Sequence, residues 1–177
     1  MAAKKDTLIN MFVALFVICV VSGGVLGVVY NATKEPIAAA ETAKKTEAIK
    51  NVLPEFNELK ETMVKSALED TEIPFYLAYD ADNKFIGAAV ETFTGKGFSG
   101  NISLMVGILA DGTVNNISVL QHAETPGLGS KMSEPSFKDQ FNNKNASSFN
   151  FNVKKDGGDV DAITAATISS RAFCDAV

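Results

Sequence analysis

Tryptophan is absent from this 177-residue sequence, histidine occurs once and cysteine twice, and each scarcity closes a class of chemistry. Cys19 lies inside the longest apolar stretch and Cys174 near the end, with no Cys-x-x-Cys and no second ligand close to either. Neither an iron–sulfur cluster nor a disulfide framework can be built from them. His122 gives a transition metal at most one imidazole, so a metal site would rest on carboxylates alone, and no bound metal is expected. Basic charge is also short: 16 Lys and Arg against 21 Asp and Glu leave a net charge of −5, with no Lys/Arg-rich run to hold phosphate backbones. Nucleic-acid binding is excluded on that ground. The sequence further lacks a P-loop and a Ser/His/Asp constellation, and its G-x-G-x-x-G spacing, Gly95 to Gly100, leads into a strand-like run and not into the helix a dinucleotide site requires, so no catalytic residue is assigned and the chain does not bind NAD on its own.

What is present is apolar, at 46% of residues, enough for one compact domain with accessories. From Leu8 to Tyr30 the run LINMFVALFVICVVSGGVLGVVY carries no charge. A helix of that length spans roughly 35 Å and crosses a bilayer. A cleaved signal peptide is the competing reading, but the run is long for an h-region and no A-x-A cleavage pattern follows directly behind it. Lys4 and Lys5 precede the span while Lys34, Lys44, Lys45 and Lys50 follow it, so the positive-inside count does not decide orientation. Gly23 and Gly27 form a Gly-x-x-x-Gly spacing. That spacing either admits a partner helix or reflects the general abundance of glycine in membrane helices.

Beyond the span, Thr33 and Pro36 offer helix-start chemistry, and Ile37 to Val52 is rich in Ala, Glu and Lys before Pro54 stops it. This segment reads as a spacer stalk or as the first helix of the domain, packed on a sheet. Strand-like runs follow at Phe75 to Asp80, Phe85 to Phe93, Ile102 to Ala110 and Thr113 to Gln121, with Asp111-Gly112 as a two-residue hairpin signal. Ile102, Leu104, Val106 and Ile108 share one side of their strand and supply a core-facing row. Helical pieces are expected around Glu134 to Phe141 and from Thr167 onward. The fold class is therefore α+β: one N-terminal transmembrane helix, then a mainly antiparallel sheet with flanking helices. The expected divisions are 1–7 before the membrane, 8–30 across it, 31–54 as the stalk helix and 55–177 as the domain.

The most informative segment is DAITAATISSR, Asp161 to Arg171, in which small and hydroxyl-bearing residues lead into a helical pattern. Small side chains let another molecule approach the backbone, and a helix start presents unpaired N–H groups that suit a phosphate. By capping preference alone, Thr164 or Thr167 would simply be an N-cap. Two glycine-bearing runs precede it, Gly97-Phe98-Ser99-Gly100 and Glu124-Thr125-Pro126-Gly127-Leu128-Gly129. Taken alone, each is an ordinary surface loop.

The segment resembles the D-x-x-[S/T]-G-A-T signature of the FMN-binding domain shared by the G subunit of the Rnf complex and the C subunit of the sodium-translocating NADH:quinone reductase, and the two glycine-bearing runs resemble that family in order and spacing. The resemblance covers most of the domain, with Asp161, Thr164, Ala166 and Thr167 in their motif places. The family's glycine is Ala165 here, which a negative φ would tolerate and a positive φ would penalise. The resemblance implies FMN attached covalently through its phosphate to Thr167 by a flavin transferase. The cofactor site it implies comprises Thr164, Ala165, Ala166, Ile168 and Ser169 around that threonine, with Glu124, Thr125, Gly127, Leu128 and Gly129 bordering the ring. Lys131 and Arg171 are candidates to offset the phosphate charge, and His122 is read as structural.

The short chain is more similar to the Rnf protein, an electron relay among other membrane subunits in a complex that couples ferredoxin:NAD⁺ electron transfer to Na⁺ or H⁺ translocation. A single-pass protein of the cytoplasmic membrane is then expected, with residues 1–7 cytoplasmic and the C-terminal domain on the extracytoplasmic side. Alternatives are a membrane-anchored flavin module serving another extracytoplasmic reductase, a part of the quinone reductase equivalent to its C subunit, and an assembly protein that has lost its flavin.

Overall fold

The computed structural model describes residues 8–65 and 72–177. The segment 1–7, with Lys4 and Lys5, lies outside the described residues. Helix α1 runs over Leu8–Val52, 45 residues, and among the described residues it is the one helix long and apolar enough to cross a membrane. Thr33 and Pro36 do not open a second helix, as the sequence suggested, because both lie inside α1. Pro36 has no N–H and so removes one intrahelical bond, but good helix formers on both sides carry the backbone through. Thr33 Oγ1 turns back to donate to the Val29 carbonyl at 2.9 Å. The helix ends just before Pro54, as expected.

The chain divides into two compact units, Met1–Ala43 and Lys44–Val177, so the last turns of α1 belong with the domain. That domain holds one six-stranded sheet in the order β1-β2-β3-β4-β5-β6, every adjacent pair antiparallel. Its strands are β1 (Glu58–Lys65), β2 (Glu72–Tyr79), β3 (Phe85–Thr94), β4 (Ile102–Leu109), β5 (Thr113–Gln121) and the two-residue β6 (Lys144–Asn145). The four strands expected from the sequence are β2 to β5. Strand β1, ELKETMVK, was not anticipated because it is an edge strand exposed at every position and so carries no buried row to read. The β4–β5 hairpin differs in detail too. Its loop is three residues, Ala110 to Gly112, with Gly112 at φ +81° and Asp111 Oδ1 accepting from the Thr113 N–H at 2.9 Å. A type I turn closed by a left-handed residue fits the strand twist as well as the shorter turn does.

Both faces of the sheet are covered. On one, Ile102, Leu104 and Val106 of β4 are essentially inaccessible and pack with Met132, Phe137, Phe141 and Phe173, while Ile108 completes the predicted row at the margin. Phe173 belongs to α3 (Thr167–Ala176), and its ring meets Phe137 edge-on at 5.2 Å and Phe141 at 5.0 Å. The helix expected over Glu134 to Phe141 is only one turn, α2 (Pro135–Lys138), continued by a 3-10 turn over Asp139–Phe141. Burial of Phe137 and Phe141 holds the two pieces, not helix length.

On the other face, Ala48, Ile49, Val52 and Leu53 pack on Ala78, Ala89, Met105 and Leu120. Residues from Lys44 onward thus take the packed alternative of the stalk segment. The end of α1 lies directly on Gly107, where a Cβ would sit 1.9 Å from the Val52 carbonyl oxygen. A β-bulge in β5 explains how that end is satisfied. Gly107 pairs with Asn116 and Ile108 with Val114, which leaves Asn115 as the extra residue. Consecutive side chains then reach the same helix terminus: Asn115 Nδ2 donates to Val52 O at 2.8 Å and Asn116 Nδ2 to Asn51 O at 3.0 Å.

Candidate functional site

Helix α3 places its own first residue. Ser169, Ser170, Ala172, Phe173 and Ala176 are buried at helical spacing, so one face of α3 is fixed on the core while Ile168 and Arg171 face out. Ahead of the helix, Ile163 to Ala166 form a tight turn closed by the Ala166 N–H donating to Ile163 O at 3.0 Å. Ala165, its third residue, has φ +62°, the left-handed value a type II turn demands and glycine normally supplies. Ser170, fully buried, locks this turn to the helix. Its hydroxyl donates to Ala166 O at 3.0 Å and accepts from the Ile163 N–H at 2.9 Å.

Neither Thr164 nor Thr167 is the N-cap of α3. The capping position is Ala166, without a side-chain cap, because the turn puts Thr164 outside the helix and Thr167 at its first helical residue. The half-buried Thr167 hydroxyl is left free of a capping role, beside the amides of the first turn.

A cleft of about 330 Å³ opens at this helix start. Ala165, Ala166, Thr167, Ile168 and Ser169 form one wall; Glu124, Thr125, Leu128 and Gly129 form another; Phe98 closes the rim. Thr164 and Gly127 stand just outside the lining, in the turns that carry these walls. Phe98, Leu128 and Ile168 are 67%, 41% and 49% exposed, so three apolar side chains face one opening uncovered. Phe98 was visible in sequence only as part of a glycine-bearing run. Its place at the rim follows from how that run folds against the Glu124 loop.

Glu124 ties the three segments together. It is 4% exposed; Oε1 accepts from the Ser99 N–H at 3.0 Å and Oε2 accepts from the Ser169 hydroxyl at 2.6 Å. Gly129 makes room for it, since a Cβ there would lie 2.6 Å from Glu124 Oε2 and 2.5 Å from Ser169 Oγ. The loop's far end closes on itself, with Thr125 O accepting from the Leu128 and Ser130 amides and Gly127 N donating to Ser130 Oγ. His122 serves the same loop, its Nδ1 accepting from the Glu124 N–H at 3.2 Å.

Charge near Thr167 comes from a residue the sequence did not single out. Lys155 Nζ lies 3.5 Å from Thr167 Oγ1. Arg171, the sequence candidate on the helix, is engaged in a two-pronged pair with Asp156 at 2.6 and 2.7 Å, and this hydrogen bonding holds the Asp156 carboxyl below its usual range. Asp161 pairs with Lys154 at 2.8 Å, and Lys131 is not part of the cleft lining. Among the described residues there is no cluster of His, Cys, Asp and Glu that could hold a metal ion.

Residues 97–177 match the FMN-binding domain family. The chain is 36% identical to the G subunit of an ion-translocating oxidoreductase complex of Aliivibrio fischeri, over 98% of this chain and 86% of that protein. The protein of the same name in Methanosarcina acetivorans is 33% identical, over 95% of this chain and 89% of that one. In three dimensions the chain is similar to the crystal structure of Shewanella oneidensis NqrC, with a TM-score of 0.50 at 22% identity, covering 73% of this chain and 64% of that one. The cleft fits such a cofactor in its chemistry: apolar side chains open on one side, and a hydroxyl, a lysine and helix-start amides on the other.

Proposed function

We propose, from the premise that this chain belongs to the G-subunit family of ion-translocating oxidoreductase complexes, that it is an electron relay carrying FMN on Thr167. FMN supplies the electron-carrying chemistry when bound, and the chain holds and orients it. The observation that carries the covalent reading is the Thr167 hydroxyl, half-buried at the start of α3, uncapped and 3.5 Å from Lys155. A phosphate on that oxygen gains the first-turn amides and the positive end of the helix dipole. Leu128, Ile168 and Phe98 offer the flat ring an apolar seat and keep water from one of its faces. Thr125 brings a hydroxyl to the same opening, while Glu124 acts on the wall itself.

In this reading a flavin transferase loads the domain on the extracytoplasmic side, the apolar part of α1 anchors it in the cytoplasmic membrane, and other membrane subunits form the ion path. The anchor from Leu8 to Tyr30 holds no Asp, Glu, Lys, Arg or His with which to carry an ion. The coupled reaction is electron transfer between ferredoxin and NAD⁺, linked to Na⁺ or H⁺ movement.

The test is to purify the full chain from its own host, view it under ultraviolet light on a denaturing gel, and map the fluorescent peptide by mass spectrometry. FMN mass on Thr167, and its loss with ferredoxin:NAD⁺ activity in an assembled Thr167→Ala complex, is the expected result. Full activity of that variant overturns the relay role. Unchanged ferredoxin:NAD⁺ activity on deletion of the chain assigns the flavin to another reductase instead.

A further inference from the structure

We propose that Lys155 is the cation that holds the flavin phosphate at Thr167, a role that rests on the covalent FMN reading above. Its Nζ is already 3.5 Å from Thr167 Oγ1, the oxygen that would become the ester oxygen, so the phosphorus and its free oxygens lie within two bonds of an atom the lysine reaches. The contact does not depend on a loose loop. Lys155 sits in a strap whose two ends are buried, Val153 at 1% and Val160 at 0% exposure. Backbone bonds close the strap on itself, Lys154 N to Val160 O at 2.8 Å and Gly158 N to Val153 O at 3.2 Å.

The neighbouring cations are committed elsewhere. Lys154 faces Asp161 at 2.8 Å, and Arg171 is held by both oxygens of Asp156. These pairs also orient the strap, because Asp156 follows Lys155 directly and grips α3 one turn beyond Thr167. The strap therefore delivers one cation that forms no ion pair among the described residues, at the one hydroxyl in the first turn of α3 that lines the cleft and is not bonded to Glu124. A compact ammonium on a flexible stem suits a phosphate whose oxygens settle only after the ester is in place.

The experiment expresses the full chain in its own host as wild type, Lys155→Gln, Lys155→Arg and, as a control on the β2–β3 turn, Lys84→Gln. The fraction of Thr167 peptide bearing FMN is followed by mass spectrometry after induction, and the ³¹P resonance is recorded on the loaded, purified chain. Lys155→Gln is expected to load about three- to fivefold more slowly, the size of a partly exposed charge contact, and to move the ³¹P resonance with no change in melting temperature. Lys155→Arg restores both readouts, and Lys84→Gln matches wild type. Loading of Lys155→Gln at the wild-type rate with an unmoved resonance overturns the inference and leaves the flavin reading standing. A wild-type chain with no flavin on Thr167 overturns both.

Discussion

Ser169 Oγ donates to Glu124 Oε2 at 2.6 Å, between side chains that are 2% and 4% exposed. One bond thereby joins the start of α3 to a loop 45 residues earlier, and the other carboxylate oxygen extends the link to Ser99. Glu124→Ala removes both acceptors and leaves a buried hydroxyl and an amide unpaired. The expected loss is about 2–3 kcal/mol, measured by denaturant unfolding of the full chain in detergent, and FMN occupancy should fall with it. Unchanged stability would show that the cleft walls are held by packing alone.

Gly129→Ala attacks the same link by crowding, since the new methyl group would press on both partners of the Glu124–Ser169 bond. A loss of about 1–3 kcal/mol is expected. A double variant with Ser169→Ala should lose less than the sum of the two single changes, because it relieves the clash with Ser169 Oγ.

Ala165→Gly should stabilise the chain by about 1 kcal/mol, because the alanine is held at φ +62° where a Cβ is disfavoured. Thermal melting of the two forms decides the sign. A lower melting temperature for the glycine form would mean that the freedom glycine adds to the unfolded chain outweighs the strain removed.

Cys174 is 9% exposed, and burial pushes its thiol up to about 12. It should therefore resist alkylation near pH 8 in the folded chain and react fully once denatured. Mass spectrometry after iodoacetamide treatment reads this directly, and rapid labelling of the folded chain would contradict it.

Asp175 accepts from Lys96 at 2.5 Å and from Thr94 at 2.7 Å, and its carboxyl lies below the usual range, chiefly through the lysine. A depressed folded-state value contributes stability above the ordinary aspartate range and loses it as pH falls through the depressed value. The melting temperature should thus drop on acidification below about pH 4, and Lys96→Ala should flatten that part of the curve. The pair is partly exposed and its effect small.

Much of the architecture is written in local pattern. Strand β4 alternates and α1 holds a long charge-free run, so the strand, its core side and a helix long and apolar enough to cross a membrane can be read without coordinates. Strand β1 could not be, because it buries nothing, and the unbroken α1 through Pro36 could not be, because one lost hydrogen bond is weaker than the helix formers around it. At the site, the motif runs name most of the lining. Lys155 escaped because its position depends on the strap between Val153 and Val160. Ser170 escaped because a buried serine that locks a turn looks in sequence like any other serine. The φ of Ala165 needed the fold, since a single residue type does not announce a left-handed backbone.

Where a helix can carry a proline depends on the solvent around it. Pro36 deprives the Ala32 carbonyl of its amide, a deficit that would cost several kcal/mol in hydrocarbon. Lys34 and Glu35 stand beside it, beyond the charge-free run that ends at Tyr30, so water can supply the missing donor. The same residue at Val25 would strand the Val21 carbonyl among lipid tails, and insertion of the anchor, not the fold of the domain, would register the fault.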